Sequence, residues 1–220
     1  MNSKSNVGTQ LRNLAILALC TPVLAGCFGA AAVGVGTGAL MLNDRRNSET
    51  FLSDQGMELR AGNRISEKHG DNVHVNVVSY NRMLLLTGEA PSPEIKADIE
   101  KLASGVPGVK SISNELAIAG PSSLGGRSND TYITSKVKAR FVDAGKFSPN
   151  HVKVVTEAGV VFLLGIVTQT EANDAVEIAR TTGGVQKVVR VFEVISTEQA
   201  KAIDNKPAPA PEAKPATGSK

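Results

Sequence analysis

Residues that commonly perform catalysis or bind metal ions are scarce in this sequence. Its 220 residues include only three histidines and two cysteines. His69 and His74 lie five positions apart around a predicted turn, and His151 lies in the other half of the chain. No HxxxH or HxxE spacing is present to form a metal site, and no GxGxxG motif follows a predicted strand. A Ser/His/Asp triad has no such signature, but nothing points to one. We therefore expect no metal ion, no cofactor and no catalytic residue.

The N-terminus has the layout of an export signal. A polar stretch carries Lys4 and Arg12 without an acidic residue, and the apolar run 14–24 follows it. This run is shorter than the roughly 20 apolar residues that span a bilayer. It leads into Leu24-Ala25-Gly26-Cys27, which resembles a bacterial lipobox. Cys27 is therefore predicted to be lipidated and to become the first residue of the mature protein; a buried free cysteine after an ordinary signal is the alternative.

Cleavage before Cys27 changes both the thiol content and the charge. Cys20 is removed with the signal, so the mature chain keeps no free thiol for a disulfide, a zinc-thiolate site or a nucleophile. Loss of Lys4 and Arg12 reduces the 24 basic residues to 22, against 21 acidic ones, which leaves a net charge of +1. Bulk charge therefore indicates no anionic partner. We predict neither a nucleic-acid partner nor a small-molecule substrate.

Composition divides the chain into folded segments and low-complexity joints. The predicted segments are a signal peptide (1–26), a lipidated Gly/Ala-rich tether (27–49), a first domain (50–118), a linker (119–129), a second domain (130–197) and a disordered Pro/Ala/Lys tail (198–220). Each domain has about 70 residues, near the lower limit for an independent core. Whether the two domains pack on each other is left open.

The two domains are repeats of one pattern. An offset of 77 residues aligns Gly88 with Gly165, and an offset of 76 aligns Gly108 with Gly184. Hydrophobic periodicity and turn residues predict the order helix, hairpin, helix, strand in each repeat. The predicted segments are helices near 51–68, 92–104, 130–144 and 169–182, hairpin strands near 73–79, 83–87, 152–156 and 160–164, and last strands near 109–118 and 185–195. The fold class is therefore α+β, with two tandem αββαβ domains, each a three-stranded mixed sheet with two helices on one face.

Both repeats resemble the BON domain family. The resemblance rests on Leu86-Thr87-Gly88 followed by Gly108-Val109-Lys110-Ser111-Ile112-Ser113-Asn114. The second copy has Leu163-Leu164-Gly165 and Gly184-Val185-Gln186-Lys187-Val188-Val189-Arg190, in which Arg190 replaces the usual polar amide. A lipobox followed by two such domains resembles the dual BON-domain lipoproteins of the Gram-negative outer membrane.

This resemblance implies binding rather than chemistry. BON domains are associated with attachment to phospholipid membranes, and the lipoproteins concerned support outer-membrane integrity, interact with anionic phospholipid and gather at division sites. Phe28, rather than an aspartate, follows the lipidated cysteine. In this family that implies a lipid-anchored protein of the outer membrane, with its domains expected to face the periplasm. The first helix of the second domain is the implied lipid contact.

The pattern of that helix supports the same location. At 100° per residue, one narrow apolar face contains Ile133, Val137, Phe141 and Ala144. Tyr132 and Lys136 are left pointing outward, with Arg140 at the flank. An aromatic ring with nearby cations suits a headgroup region, and we expect these three residues to bind lipid. The alternative is an ordinary solvated helix face, and Asp143 on the outward side weakens the electrostatic attraction.

Three functions therefore remain at this stage. The leading one is a non-enzymatic outer-membrane lipoprotein that binds an anionic phospholipid membrane through its second domain. The alternative is a periplasmic adaptor for proteins of an outer-membrane assembly or division machine. The third, an enzyme acting on envelope material, has no convergent polar site to support it.

Overall fold

The computed structural model describes residues 44–120 and 124–205, which all belong to one compact unit. The predictions for the signal peptide, for Cys27 and for residues 206–220 lie outside these residues. The first repeat contains α1 (Ser48–His69), β1 (His74–Tyr80), β2 (Met83–Ala90), α2 (Pro93–Ser104), β3 (Ser111–Asn114) and β4 (Ala117–Ile118). The second contains α3 (Leu124–Ala144), β5 (Val152–Glu157), β6 (Val160–Thr168), α4 (Gln169–Arg180) and β7 (Lys187–Ile195), and α5 (Thr197–Asp204) follows it.

Each sheet consists of a hairpin and a parallel third strand. β1 is antiparallel to β2, and β5 is antiparallel to β6. β3 and β4 both run parallel to β2, and β7 runs parallel to β6. Parallel neighbours need a crossover connection, which α2 and α4 provide. The predicted pair of αββαβ domains is confirmed. In the first repeat the third strand is divided into β3 and β4 beside the buried Leu116, which is 2 % exposed.

The central strand of each sheet is apolar on both faces. On β2, Leu84 and Leu86 pack with Met57 and Ile99 of the two helices. Leu85, between them, points to the opposite face of the sheet, because successive side chains of a strand alternate. β6 has the same arrangement in the second repeat. A strand buried on both sides appears in the sequence as a continuous apolar run.

The two domains share a core formed by the faces of their sheets that lie away from the helices. Its buried members are Tyr80, Leu85, Phe162, Leu164, Ile166 and Val191. The two domains therefore pack on each other through their sheets, a point that the sequence left open. Because each domain is small for an independent core, this shared apolar contact adds burial that neither repeat has alone.

The joints are more ordered than composition predicted. α3 begins at Leu124, inside the predicted linker, and α5 occupies Thr197–Asp204, where the tail was expected to start. Ser196 and Gln199 form a capping box at the start of α5. Arg45, with its side chain 3 % exposed, bonds to Asp204 at 2.9 Å. An eight-residue helix is unstable alone, so this capping box and ion pair stabilise α5. Composition does not show either contact.

Gly88 and Gly165 occupy equivalent places where two strands approach closely. A Cβ added at Gly88 would overlap the carbonyl oxygen of His74, and one at Gly165 would overlap that of His151. The glycine that ends the Leu-x-Gly motif is thus required by contact with the neighbouring strand. Across residues 44–120 and 124–205, none of the helices combines the length and apolar character needed to cross a membrane.

Candidate functional site

The buried face of α3 packs into the core of the second domain and so determines which residues of the helix face solvent. Ile133, Val137 and Phe141 are at most 1 % exposed and belong to the core of the second domain, as predicted. The prediction for Ala144 is wrong, because the helix ends there and the residue is exposed. Phe147 enters the core instead, and its ring contacts that of Phe141 edge-on with centroids 5.1 Å apart.

A buried carboxylate holds the N-terminal half of α3 against the β5–β6 turn. Asp130, 7 % exposed, accepts hydrogen bonds from the backbone N–H groups of Ala158 and Gly159, both at 2.8 Å. In the first domain, Asp54 accepts bonds from the turn residues 81 and 82 at 2.8 and 2.7 Å. Neither contact was predicted from the sequence. The signal was available, since the two aspartates are related by the repeat offset of 76.

Tyr132 lies two residues after this fixed point and faces outward. It is 63 % exposed, and the Nζ atom of Lys136 lies 5.2 Å from its ring centroid. The same Nζ donates a hydrogen bond of 2.6 Å to the carbonyl oxygen of Gly183, just beyond the end of α4. Lys136 is therefore half-buried and held in place. The structure brings these two predicted residues together as one aromatic and cationic surface.

Arg140, the third predicted residue, has a different environment. Its Nη1 donates to the carbonyl oxygen of Ile178 and to the hydroxyl of Thr182, both at 2.8 Å. These bonds satisfy acceptors at the C-terminal end of α4, where a cation is favoured by the unpaired carbonyl groups. Arg140 therefore ties α3 to α4, which fixes the orientation of the surface formed by Tyr132 and Lys136.

One exposed apolar residue further along α3 was not predicted. Val142 is 64 % exposed and lies ten residues, or nearly three helical turns, beyond Tyr132. Lys138 and Asp143 are also exposed on this helix. The outer face of α3 thus combines two large exposed hydrophobic side chains, Tyr132 and Val142, with charges of both signs.

The first domain provides an internal comparison, because an offset of 76 places α1 on α3. Met57, Ala61 and Ile65 of α1 are buried, as are the three core residues of α3. The position equivalent to Tyr132 is Gly56, and the position equivalent to Lys136 is Arg60. The exposed aromatic is therefore a property of the second domain alone.

Comparison with known proteins assigns both repeats to one domain family. A model of the BON domain family matches residues 60–120 and 129–196, which is more than half of the chain. The outer membrane lipoprotein DolP of Haemophilus influenzae is 37 % identical over 189 residues, which cover 85 % of this chain and 98 % of that protein.

Two further relatives have different descriptions. The 21 kDa hemolysin of Actinobacillus pleuropneumoniae is 33 % identical, over 69 % of this chain and 79 % of that protein. The osmotically-inducible protein Y of Escherichia coli K12 is 34 % identical, over 52 % of this chain and 58 % of its own length.

Proposed function

Because this chain belongs to the BON domain family, we propose that it is a lipoprotein of the outer membrane whose second domain binds anionic phospholipid. In this proposal, residues 1–26 are an export signal, Cys27 carries the lipid anchor, and the domains face the periplasm. The similarity to an outer membrane lipoprotein over 98 % of that protein supports the anchor and the location. The proposed role is to support outer-membrane integrity, including at division sites, without catalysis.

One observation carries the lipid contact. Tyr132 is 63 % exposed beside the Lys136 ammonium, whereas the first domain has glycine at the equivalent position. A tyrosine ring has an apolar body and a polar hydroxyl, which suits the boundary between headgroups and acyl chains. Lys136 adds about 1 kcal/mol of attraction to an anionic surface, which is reduced by salt. Such contacts are individually weak, but a lipid anchor raises their effective concentration at the membrane.

The test uses residues 43–220 without the anchor, since they contain all three apolar cores. Sedimentation is measured with zwitterionic vesicles and with the same vesicles doped with phosphatidylglycerol or cardiolipin. Wild type is expected to bind the doped vesicles only, more weakly as salt increases. Tyr132→Glu should weaken binding by about tenfold or more, because it removes the ring and adds a charge repelled by the lipid.

Leu59→Glu is the matched control. Leu59 is 66 % exposed on α1 of the first domain, so this variant places the same charge on an equally exposed apolar position. It should bind vesicles as wild type does. Equal loss in both variants, or binding to neither vesicle by wild type, would reject lipid recognition by α3.

A second function is favoured by a different observation. Leu52 and Leu59 are 61 % and 66 % exposed and lie seven residues apart, on one side of α1. This exposed pair supports the alternative of an adaptor that contacts an envelope assembly protein. A photo-crosslinker placed at residue 59 in cells should then capture a defined protein, and Leu52→Glu should abolish that product. A crosslinker at residue 59 that captures nothing would count against the adaptor.

A further inference from the structure

Three metal-ligating side chains from both domains meet beside the shared core. His74 begins β1, Glu89 is its cross-strand partner on β2, and Glu157 ends β5 of the second domain. One ligand atom from each lies within 4.8 Å of the other two. The spacing along the sequence gave no sign of this cluster, because the fold brings together residues that are 15 and 68 positions apart.

Both carboxylates are buried. Glu89 is 6 % and Glu157 is 8 % exposed, and the side chain of His74 is 16 % exposed. The Oε2 atom of Glu157 accepts hydrogen bonds from the amide of Asn76 at 2.7 Å and from the hydroxyl of Thr87 at 3.4 Å. These two donors fix the orientation of the Glu157 carboxylate.

The second repeat has a histidine at the equivalent position, in an ion network of its own. His151 is related to His74 by the offset of 77 and also faces two carboxylates, Glu171 at 3.3 Å and Asp204 at 3.9 Å. The buried guanidinium of Arg45 pairs with both of those carboxylates, at 2.6 and 2.9 Å. The carboxylates around His151 come from positions that the repeat does not relate to Glu89 and Glu157, so the cluster around His74 is a separate arrangement.

The geometry points to a divalent transition-metal site formed by His74, Glu89 and Glu157, with Zn²⁺ as the ion that fits best. The His74 Nδ1 atom lies 2.9 Å from Glu89 Oε2 and 4.0 Å from Glu157 Oε1. These separations bracket the roughly 3.3 Å between ligands of a tetrahedral ion with bonds of about 2.0 to 2.1 Å. A set of one imidazole and two carboxylates suits Zn²⁺ better than Mg²⁺ or Ca²⁺, which prefer oxygen ligands alone.

The consequence of such an ion is a link between the domains. Two ligands come from the first sheet and one from the second, so the ion can bind fully only when the sheets are packed together. Asn76 and Thr87 then act as outer-shell residues that hold Glu157 in place. Since the ion binds the packed form in preference to the unfolded chain, it stabilises the domain interface.

The test measures metal binding by the full chain, purified in detergent without an affinity tag and freed of metal. Equilibrium dialysis should show one Zn²⁺ per chain, and Co²⁺ in its place should give the visible absorption of a four- or five-coordinate site. His74→Gln and the nearly isosteric Glu157→Gln should each weaken Zn²⁺ binding by tenfold or more. Zn²⁺ should raise the thermal midpoint of wild type but not of either variant.

His69→Gln is the control. His69 contacts Asp98 at 2.7 Å in the same domain, so it represents a histidine and carboxylate pair outside the cluster. Its variant should keep wild-type affinity. The proposal is overturned if wild type binds no Zn²⁺ at 100 times the protein concentration, if His74→Gln binds as tightly as wild type, or if His69→Gln loses the site instead. Circular dichroism of each variant shows whether a loss of binding reflects unfolding, and a folded Glu157→Gln that binds normally also overturns it.

Discussion

Replacing Arg45 by methionine tests the ion network that joins the start of the described chain to its end. The Arg45 side chain is 3 % exposed and bonds to Glu171, to Asp204 and to the carbonyl oxygen of Ile166. Methionine keeps much of the volume but removes the charge. The substitution leaves the Glu171 carboxylate, 15 % exposed, beside Asp204 without its cation. Breaking a buried pair in this way is strongly destabilising.

The magnitude follows from the pKa of Glu171. Burial raises this pKa, but hydrogen bonds from Arg45 and Thr168 outweigh it and lower the pKa from 4.5 to about 2. A shift of that size corresponds to at most about 3 kcal/mol. Asp204 is 39 % exposed, so solvent screens part of the interaction. We expect Arg45→Met to lower the free energy of unfolding by about 2 kcal/mol at neutral pH.

The pH dependence has a definite sign. The pKa of Glu171 is lower in the folded state than its ordinary value, so the stabilisation is complete above about pH 4.5 and is lost as pH falls toward 2. The difference between wild type and Arg45→Met should therefore shrink over that window. Burial and the Arg45 charge also lower the pKa of His151, which should rise in the variant.

Urea denaturation of residues 43–220 at pH 7, 5, 4 and 3 measures this difference. Arg180→Met is the control, because Arg180 and Glu177 form an exposed pair three residues apart and should contribute less than about 0.5 kcal/mol. This role of Arg45 is refuted if Arg45→Met and Arg180→Met lower the free energy of unfolding equally at pH 7. It is also refuted if the effect of Arg45→Met does not change between pH 5 and pH 3.

Three further substitutions are predicted from described contacts, each measured by urea denaturation. Arg140→Met should lower the free energy of unfolding by about 1 to 3 kcal/mol, because the hydrogen bonds to the end of α4 are lost. A variant as stable as wild type would show that Arg140 does not hold α3 to α4. Gly165→Ala should lower the free energy of unfolding by roughly 2 kcal/mol or more, because the added Cβ overlaps the neighbouring strand. Gly62→Ala has nothing within 4 Å of its Cβ and should raise the free energy of unfolding by up to about 1 kcal/mol. Effects of the same sign in the two variants would contradict this. Phe162→Ala should cost about 3 to 5 kcal/mol and reduce hydrogen-exchange protection in both domains, and a loss confined to the second domain would argue against a shared core.

The fold was predictable because its signals are local. The Leu-x-Gly pattern recurs in both repeats, and the apolar spacing of Ile133, Val137 and Phe141 identifies the buried side of α3. The strand ends predicted at Gly88 and Gly165 are wrong, because β2 and β6 continue through these glycines. The sequence also indicated that Tyr132 faces solvent. Periodicity could predict which of these residues are buried and which are exposed, because burial follows the repeat of the single helix or strand to which each belongs.

Contacts between distant residues had no comparable signal. Arg45 is separated from Glu171 by 126 positions and from Asp204 by 159, and no pattern along the chain relates them. The sequence predicts Arg140 only as a flanking cation, because its acceptors lie 38 and 42 residues away, at the end of α4 and just beyond it. The helix at Thr197–Asp204 was missed for the same reason, since its stability depends partly on Arg45.

If the chain is anchored through Cys27 as proposed, the position of Arg45, 18 residues further along the sequence, decides how mechanical load would reach the domains. The backbone after Arg45 enters α1 of the first domain, while its side chain is bonded to the second. Tension on such an anchor would be divided between two paths and would load both domains at once. The pair would be pulled as a single body instead of being peeled apart from one end.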